Sequence, residues 1–92
     1  MPQKRLHARV NGRVQGVGFR YYTESHALDL NLHGWVRNRD DGSVELVAEG
    51  SAGALDTLVE RLREGPALSR VDEVLLDWSE PRADLPMFHI RP

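Results

Sequence analysis

The hydrophobic pattern switches between the period of a helix and the period of a strand, and this order constrains the fold more than any other feature. Two stripes have helical spacing: Phe19, Thr23, Ala27 and Leu30, then Ala52, Leu55, Leu58, Val59 and Leu62. Ser51 precedes the second stripe as a suitable N-cap, and Gly65-Pro66 ends it. Each stripe must be buried against another element, so we expect both helices to pack on one sheet.

The remaining segments have the spacing of strands. The predicted strands are 6–14, 34–38, 44–48 and 74–78. Asp41-Gly42 is a hairpin signal between the second and third of them. Phe88 and Ile90 are candidates for a short final strand.

The order β-α-β-β-α-β, with or without that last strand, predicts an α+β fold. We expect a two-layer, ferredoxin-like sandwich with an antiparallel sheet and two helices on one face. A length of 92 residues fits one domain over residues 1–92. Because many unrelated functions share this fold, function must be argued from particular residues.

The composition excludes several classes of protein. There is no cysteine, which excludes disulfides and thiolate metal sites, and the four histidines lack metal-ligand spacing. No apolar run is long enough to span a membrane, and the polar start Met1–Arg5 leads into no signal-sequence core. A net charge of -2 does not fit a general nucleic-acid binder. We expect a cytoplasmic protein without a metal, membrane or nucleic-acid partner.

Basic residues are concentrated near the N-terminus, where Lys4, Arg5, Arg9, Arg13 and Arg20 precede any acid. A basic segment of this kind attracts anions. For Arg5 and Arg9, however, we favour a solvated strand face. Tyr21 and Tyr22 lie beside the Phe19 stripe, which favours packing over stacking on bases.

The turn between the first strand and the first helix predicts a binding site for a phosphate-like dianion. Its residues are Gln15, Gly16, Val17, Gly18, Phe19 and Arg20. Gly16 and Gly18 permit backbone angles that other residues avoid. The first N–H groups of a helix have no partner inside it, and the helix dipole favours an anion there. Arg20 adds a charged fork that can hold two phosphate oxygens. The alternative is a tight turn whose glycines serve packing.

Two motifs resemble the paired signatures of the acylphosphatases, small enzymes that hydrolyse carboxyl–phosphate anhydrides. The first runs from Val10 to Arg20 and the second from Gly34 to Gly50. One small departure is Ser43, where threonine is frequent, and it keeps the hydroxyl. The resemblance implies that Arg20 binds the phosphate and that Asn38 positions the attacking water. Judged without the resemblance, Asn38 is instead expected to cap the neighbouring hairpin.

The chemistry implied by the resemblance suits these residues. The leaving group is a carboxylate, which departs without protonation, so no general acid is required. Backbone N–H groups and Arg20 can stabilise the charge on the transferred phosphoryl group. The Asn38 amide can orient a water but cannot act as a base. We therefore expect a monomeric hydrolase of small acyl phosphates with catalytic residues Arg20 and Asn38 and no cofactor.

Two other functions remain open at this point. One is a non-catalytic module that binds phosphate or a carbamoyl-phosphate-like ligand on the same fold. The other is an RNA-binding domain with the same element order, which needs aromatic residues on its third strand. The segment 43–49 has none, and Glu45 and Glu49 would repel RNA. The presence of both Arg20 and Asn38 favours the enzyme.

Overall fold

The computed structural model describes residues 3–92 and contains the elements that the hydrophobic pattern predicts. They are β1 (Gln3–Arg13), α1 (Phe19–Asp29), β2 (His33–Asn38), β3 (Val44–Ser51), α2 (Ala52–Glu64), β4 (Arg70–Ser79) and β5 (His89–Ile90). Met1 and Pro2, the first residues of the predicted domain and of its polar start, lie outside the described residues. No helix within residues 3–92 is both long enough and apolar enough to cross a membrane.

The strands form one sheet in the order β4-β1-β3-β2-β5. β1 pairs antiparallel with β3 and β4, and β2 pairs antiparallel with β3. The short final strand is present but pairs parallel with β2. The prediction of an antiparallel sheet is therefore wrong at this edge, and the sheet is mixed. The reason is that β5 begins at the end of the sheet where β4 finishes, and β4 runs opposite to β2.

Both helices bury their predicted apolar stripes against one face of the sheet, which confirms the two-layer α+β sandwich. α1 buries Phe19, Thr23 and Ala27. α2 buries four of its five stripe residues, while Ala52 is half-buried. Ser51 Oγ accepts a hydrogen bond from the Ala54 N–H at 3.2 Å, and the helix ends at Gly65, so both predicted caps are confirmed. The sheet contributes the alternate residues Leu6, Ala8, Val10, Val36, Val44, Leu46 and Ala48 to this core.

Two glutamates lie on the opposite, helix-free face of the sheet, and both are only 7% exposed. Glu49 accepts hydrogen bonds from the Arg5 guanidinium at 2.6 Å and from the backbone N–H groups of Arg82 and Ala83, each at 3.0 Å. Burial alone would raise the pKa of Glu49, but these hydrogen bonds hold it below its usual value. Glu49 thus fastens the β4–β5 connection to the sheet.

Glu45 is the centre of a second cluster on the same face. Its carboxylate accepts hydrogen bonds from His7 Nε2 at 2.6 Å, from Arg37 Nε at 2.8 Å and from Arg39 Nη1 at 3.3 Å. Burial would raise the pKa of Glu45, but the hydrogen bonds from His7 and Arg37 outweigh it and lower the pKa from 4.5 to about 2. The two glutamates therefore neutralise most of the basic residues on this face.

These contacts correct the interpretation of a solvated strand face. Arg5 is half-buried and ion-paired with Glu49 and Asp84, at 2.6 and 3.0 Å. Arg9 is also half-buried, and its Nε atom is shielded from solvent. The period-two pattern places these arginines on the correct face, but it does not show that acids of β3 lie directly opposite them.

We predict that Glu45 makes acid destabilise the fold in a defined pH range. Because the pKa of Glu45 is lower in the folded chain, its stabilising effect is complete above pH 4.5 and is lost as the pH falls towards about 2. Glu45→Gln should cost about 1–3 kcal/mol at neutral pH, and this difference from the wild type should shrink as the pH approaches about 2. Urea unfolding at a series of pH values measures it.

Glu60→Gln is the matched control, because Glu60 is exposed on α2. This variant should follow the wild type across the whole pH range. A gap between Glu45→Gln and the wild type that stays constant from neutral to acid pH would contradict the role of Glu45.

Candidate active site

The sheet topology brings the C-terminal ends of β1 and β2 to the same end of the sheet. Both strands pair antiparallel with β3, which lies between them, so β1 and β2 run in the same direction. Val10 of β1 and Asn38 of β2 are both paired with Val44. The loop 14–18 that follows β1 and the hairpin loop 39–43 that follows β2 therefore lie at the same end of the sheet.

The loop 14–18 has the backbone of an anion-binding turn. Gly16 and Gly18 have φ angles of 73° and 80°, in the left-handed region that L residues avoid. Successive N–H groups in such a turn form a concave donor surface. Gly18 is the N-cap of α1 and provides no side-chain cap, and the first turn of α1 contains no acidic residue. Phe19 is 1% exposed and anchors the start of the helix in the core.

A concavity of about 100 Å³ lies at this loop, lined by Val14, Gly16, Gly18, Phe19, Arg20, Tyr21 and Asn38. A water needs only about 10–15 Å³ by this kind of measure, so a group with several oxygen atoms fits. We call this concavity, with its lining residues, the cradle. The structure thus brings Arg20 and Asn38, predicted from separate motifs, to a single site.

The charge of Arg20 is not neutralised by the described part of the chain. Arg20 is half-buried, yet within residues 3–92 its guanidinium takes part in no hydrogen bond or ion pair. By contrast, Arg5, Arg37 and Arg39 are all paired with carboxylates. An arginine fork without an acidic partner beside helix N–H groups favours a dianion.

Asn38 presents a buried acceptor at the same site. Its Oδ1 atom is buried and accepts no hydrogen bond from the described part of the chain. The hairpin cap that the sequence left open for Asn38 is made by Asp41 instead. Asp41 Oδ1 accepts hydrogen bonds from the Ser43 N–H at 2.9 Å and the Ser43 hydroxyl at 2.6 Å, and these bonds lower the pKa of Asp41. A buried acceptor without a donor costs about 1–3 kcal/mol, which a bound water would recover.

Two of the predicted loop residues do not line the cradle. Gln15 Nε2 donates to the carbonyl oxygens of Arg39 at 2.7 Å and Ser43 at 2.9 Å, so its side chain contacts the hairpin. Val17 packs against the core. Conversely, Tyr21 lines the cradle and is 71% exposed, so the prediction that it packs is wrong. Tyr22 does pack: its ring contacts Phe19, and its hydroxyl donates to the Arg61 carbonyl at 2.7 Å.

The larger concavities lack Arg20 and the glycine loop. One of about 430 Å³ shares Asn38 with the cradle and is otherwise lined by Arg37, Arg39, Asp40, Asp41 and Pro92. Its guanidinium groups are already bound to Glu45, and its two aspartates repel an anion. Residues 3–92 contain no group of three or more His, Cys, Asp or Glu residues placed to hold a metal ion.

We predict that the cradle needs glycine for its backbone conformation and not for space. A Cβ atom on Gly16 would meet nothing within 4 Å, but its φ of 73° strains any L residue. Gly16→Ala should therefore destabilise the fold by roughly 1–2 kcal/mol and weaken the binding of inorganic phosphate. Urea unfolding and phosphate titration measure the two effects.

Gly53→Ala, at an exposed helical position of α2, is the control and should raise the free energy of unfolding by about 0.5–1 kcal/mol. Equal effects at both glycines would refute the prediction.

Comparison with known proteins agrees with this geometry. The family model described as Acylphosphatase matches residues 6–90, a range that includes the whole cradle. An acylphosphatase of Salinibacter ruber is 49% identical over 89 residues, which cover 97% of this chain and 94% of that protein. The crystal structure of acylphosphatase from Bacillus subtilis has a TM-score of 0.93 at 40% identity and covers 97% of this chain and 99% of that chain.

A further similarity is to one part of a much longer protein. Full-length HypF, in a phosphate- and nucleotide-bound form, is 26% identical with a TM-score of 0.85, and the match covers 98% of this chain but 12% of that one. The Salinibacter and Bacillus proteins, in contrast, match over nearly their full lengths. The chain belongs to the acylphosphatase family.

Proposed function

We propose that Arg20 and Asn38 divide the work of acyl phosphate hydrolysis between them. The activity itself, conversion of a carboxyl–phosphate mixed anhydride to a carboxylate and inorganic phosphate, goes with membership of the family. In our proposal the backbone N–H groups of the cradle and the Arg20 guanidinium hold the phosphoryl group. The Asn38 side chain holds the attacking water. The observation that carries the proposal is that Arg20 and Asn38 line one cradle, and that the guanidinium and the buried amide oxygen have no partner within residues 3–92.

The phosphoryl group is held by backbone donors and by one positive charge. Its oxygens accept hydrogen bonds from N–H groups of the loop and the start of α1, with Gln15–Arg20 as the binding segment. The Arg20 fork holds two further oxygens. These donors are already in place before the reaction, so they stabilise the charge that develops in the transition state without reorganisation.

The water is oriented by hydrogen bonding and not by deprotonation. Asn38 Oδ1 accepts one hydrogen of the water, which leaves a lone pair directed at phosphorus. The water oxygen forms the new P–O bond as the bond to the acyl oxygen breaks, and the carboxylate leaves with the electron pair. The proton of the water passes to a phosphate oxygen of the substrate. The carboxylate needs no proton to leave, so the cradle needs no general acid.

A non-catalytic phosphate-binding module is the alternative, and the HypF similarity shows that this fold also occurs within a longer protein. Relatives about half identical to this chain, matched over nearly their whole length and named acylphosphatases, favour the enzyme. We also propose that residues 1–92 act as one domain and as a cytoplasmic monomer. Both proposed catalytic side chains come from a single copy of the chain, and the absence of cysteine means that no oxidising compartment is needed.

We predict that Arg20 and Asn38 variants fail in different ways. Arg20→Gln should weaken phosphate binding and lower kcat/KM by a factor that corresponds to about 2–4 kcal/mol, because a charged bidentate contact is lost. Arg20→Lys should also weaken phosphate binding and lower kcat/KM, since the point charge of lysine does not replace the planar guanidinium fork. Asn38→Ala should lower kcat severely but leave phosphate inhibition nearly intact. The measurements are kcat and KM for acyl phosphate and Ki for phosphate.

Arg13→Gln is the matched control, because Arg13 is exposed at the end of β1 and precedes the cradle. It removes the same charge at a nearby position and should keep nearly normal kcat/KM. Wild-type kinetics in either Arg20 variant would remove Arg20 as the anchor. A folded Asn38→Ala protein with normal kcat would refute its role, and an inactive wild type that binds phosphate would favour the binding module.

We predict that hydrolysis proceeds after metal removal. The leaving group needs no acid, and the cradle supplies the positive charge that a metal would otherwise bring. Hydrolysis of acetyl or benzoyl phosphate should be unchanged by EDTA, whereas simple phosphate monoesters, with poorer leaving groups, should react far more slowly. Loss of activity in EDTA and recovery with Mg²⁺ would contradict the mechanism.

A further inference from the structure

Gln15 joins the loop of the cradle to the neck of the hairpin that follows Asn38. The neck is the pair Arg39 and Ser43, at which the two strands of the hairpin meet its loop. Its side-chain nitrogen has two hydrogens, and both are used: one bond reaches the Arg39 carbonyl at 2.7 Å and the other the Ser43 carbonyl at 2.9 Å. These two carbonyls lie on opposite sides of the hairpin neck, where the Arg39 N–H also donates to the Ser43 oxygen at 2.9 Å. A single amide therefore holds both strands of the neck.

The residues that Gln15 holds are the immediate neighbours of the Asn38 pair. Arg39 follows Asn38 directly, and Ser43 precedes Val44, which is paired with Asn38. On the other side, Gln15 is followed by Gly16 of the cradle. The Asn38 amide oxygen has no donor of its own within residues 3–92 to fix it. The distance between Asn38 and the loop 14–18 thus depends on backbone that the Gln15 side chain holds in place.

We propose that the Gln15 side chain is a positioning residue, which sets Asn38 at the correct distance from the phosphoryl group. The proposal concerns the side chain and rests on the role of Asn38 proposed above. Attack in line requires the water and the phosphorus to be correctly placed, and an error of 1 Å can lower the rate about 100-fold. Gln15 acts on that distance without touching the reacting atoms.

The two hairpin carbonyls do not depend on Gln15 for a hydrogen bond. The Ser43 oxygen keeps the Arg39 N–H, and the Arg39 oxygen keeps the Gly42 N–H at 3.2 Å. Loss of the Gln15 amide therefore leaves no orphaned acceptor, and the variants should fold. Gln15→Met keeps a similar shape without a donor. Gln15→Glu places a carboxylate against two carbonyl oxygens and should have the larger effect.

The experiment measures kcat for acetyl phosphate and Ki for inorganic phosphate in Gln15→Met, in Asn38→Ala and in the double variant. Gln15→Met should lower kcat about 10- to 100-fold and change Ki by less than about threefold. In the double variant, kcat should equal that of Asn38→Ala alone, because Gln15 has nothing left to position. Asn11→Ala is the control: it removes the 2.8 Å hydrogen bond from Asn11 Nδ2 on β1 to Glu73 on β4 and should leave kcat unchanged.

Several results would overturn the proposal, and they are distinguishable. A low kcat in Asn38→Ala with normal kcat in Gln15→Met would remove the positioning role alone. A multiplied loss in the double variant would show that Gln15 does not act through Asn38, and a loss in phosphate affinity equal to the loss in kcat would make its side chain a phosphate ligand. Normal kcat in Asn38→Ala would overturn both this proposal and the proposed function.

A second measurement is independent of activity. In the folded wild type, the side-chain amide protons of Gln15 should exchange with solvent more slowly than those of Gln3, which is exposed on β1. Equal exchange of the two amides, measured by NMR, would show that the two bonds to the hairpin are not maintained in solution and would overturn the proposal.

Discussion

The site depends on the pairing of β1 and β2 with the strand between them. Because β3 runs antiparallel to both, the two outer strands point the same way and release their loops at one end of the sheet. One loop becomes the concave backbone at the start of α1, and the other becomes the hairpin beside Asn38. A helix that starts at this end adds its N–H groups and its dipole to the same position. The N–H donors of the loop 14–18 and the acceptor Asn38 are therefore brought together by strand pairing and not by closeness in sequence.

The two faces of the sheet are stabilised by different interactions. On the helix side an apolar core fixes Phe19 and with it the first turn of α1. On the open side, Glu45 and Glu49 are buried and bind the arginines of neighbouring strands. A buried carboxylate needs such partners, and the partners lose their availability to ligands. Arg20 has no such partner within residues 3–92, and the first turn of α1 carries no acid. The anion site is thus set apart from the neighbouring Arg37 and Arg39, which Glu45 neutralises.

Local patterns were sufficient for the elements and for the glycine loop with Arg20, but not for the whole cradle. Helical spacing predicted the faces of α1 and α2, and Ser51 and Gly65 marked the ends of α2, because caps and stripes are local properties. The parallel pairing of β5 was not predictable, since two residues carry no signal of direction. Nor were the partners of Arg5 and of the Gln15 side chain, which lie far away in sequence. Asn38 was ambiguous until Asp41 was seen to cap the hairpin.

A phosphate titration followed by amide NMR tests the central claim most directly. If the cradle is the phosphate site, the backbone amides of Gly16, Gly18 and Phe19 and the Arg20 side-chain N–H should shift together and saturate with one affinity. The amides around Arg5 and Glu49, which are ion-paired at the opposite end of β1 and β3, should stay unchanged. Shifts confined to that second region, or no saturable shift in the cradle, would contradict the account.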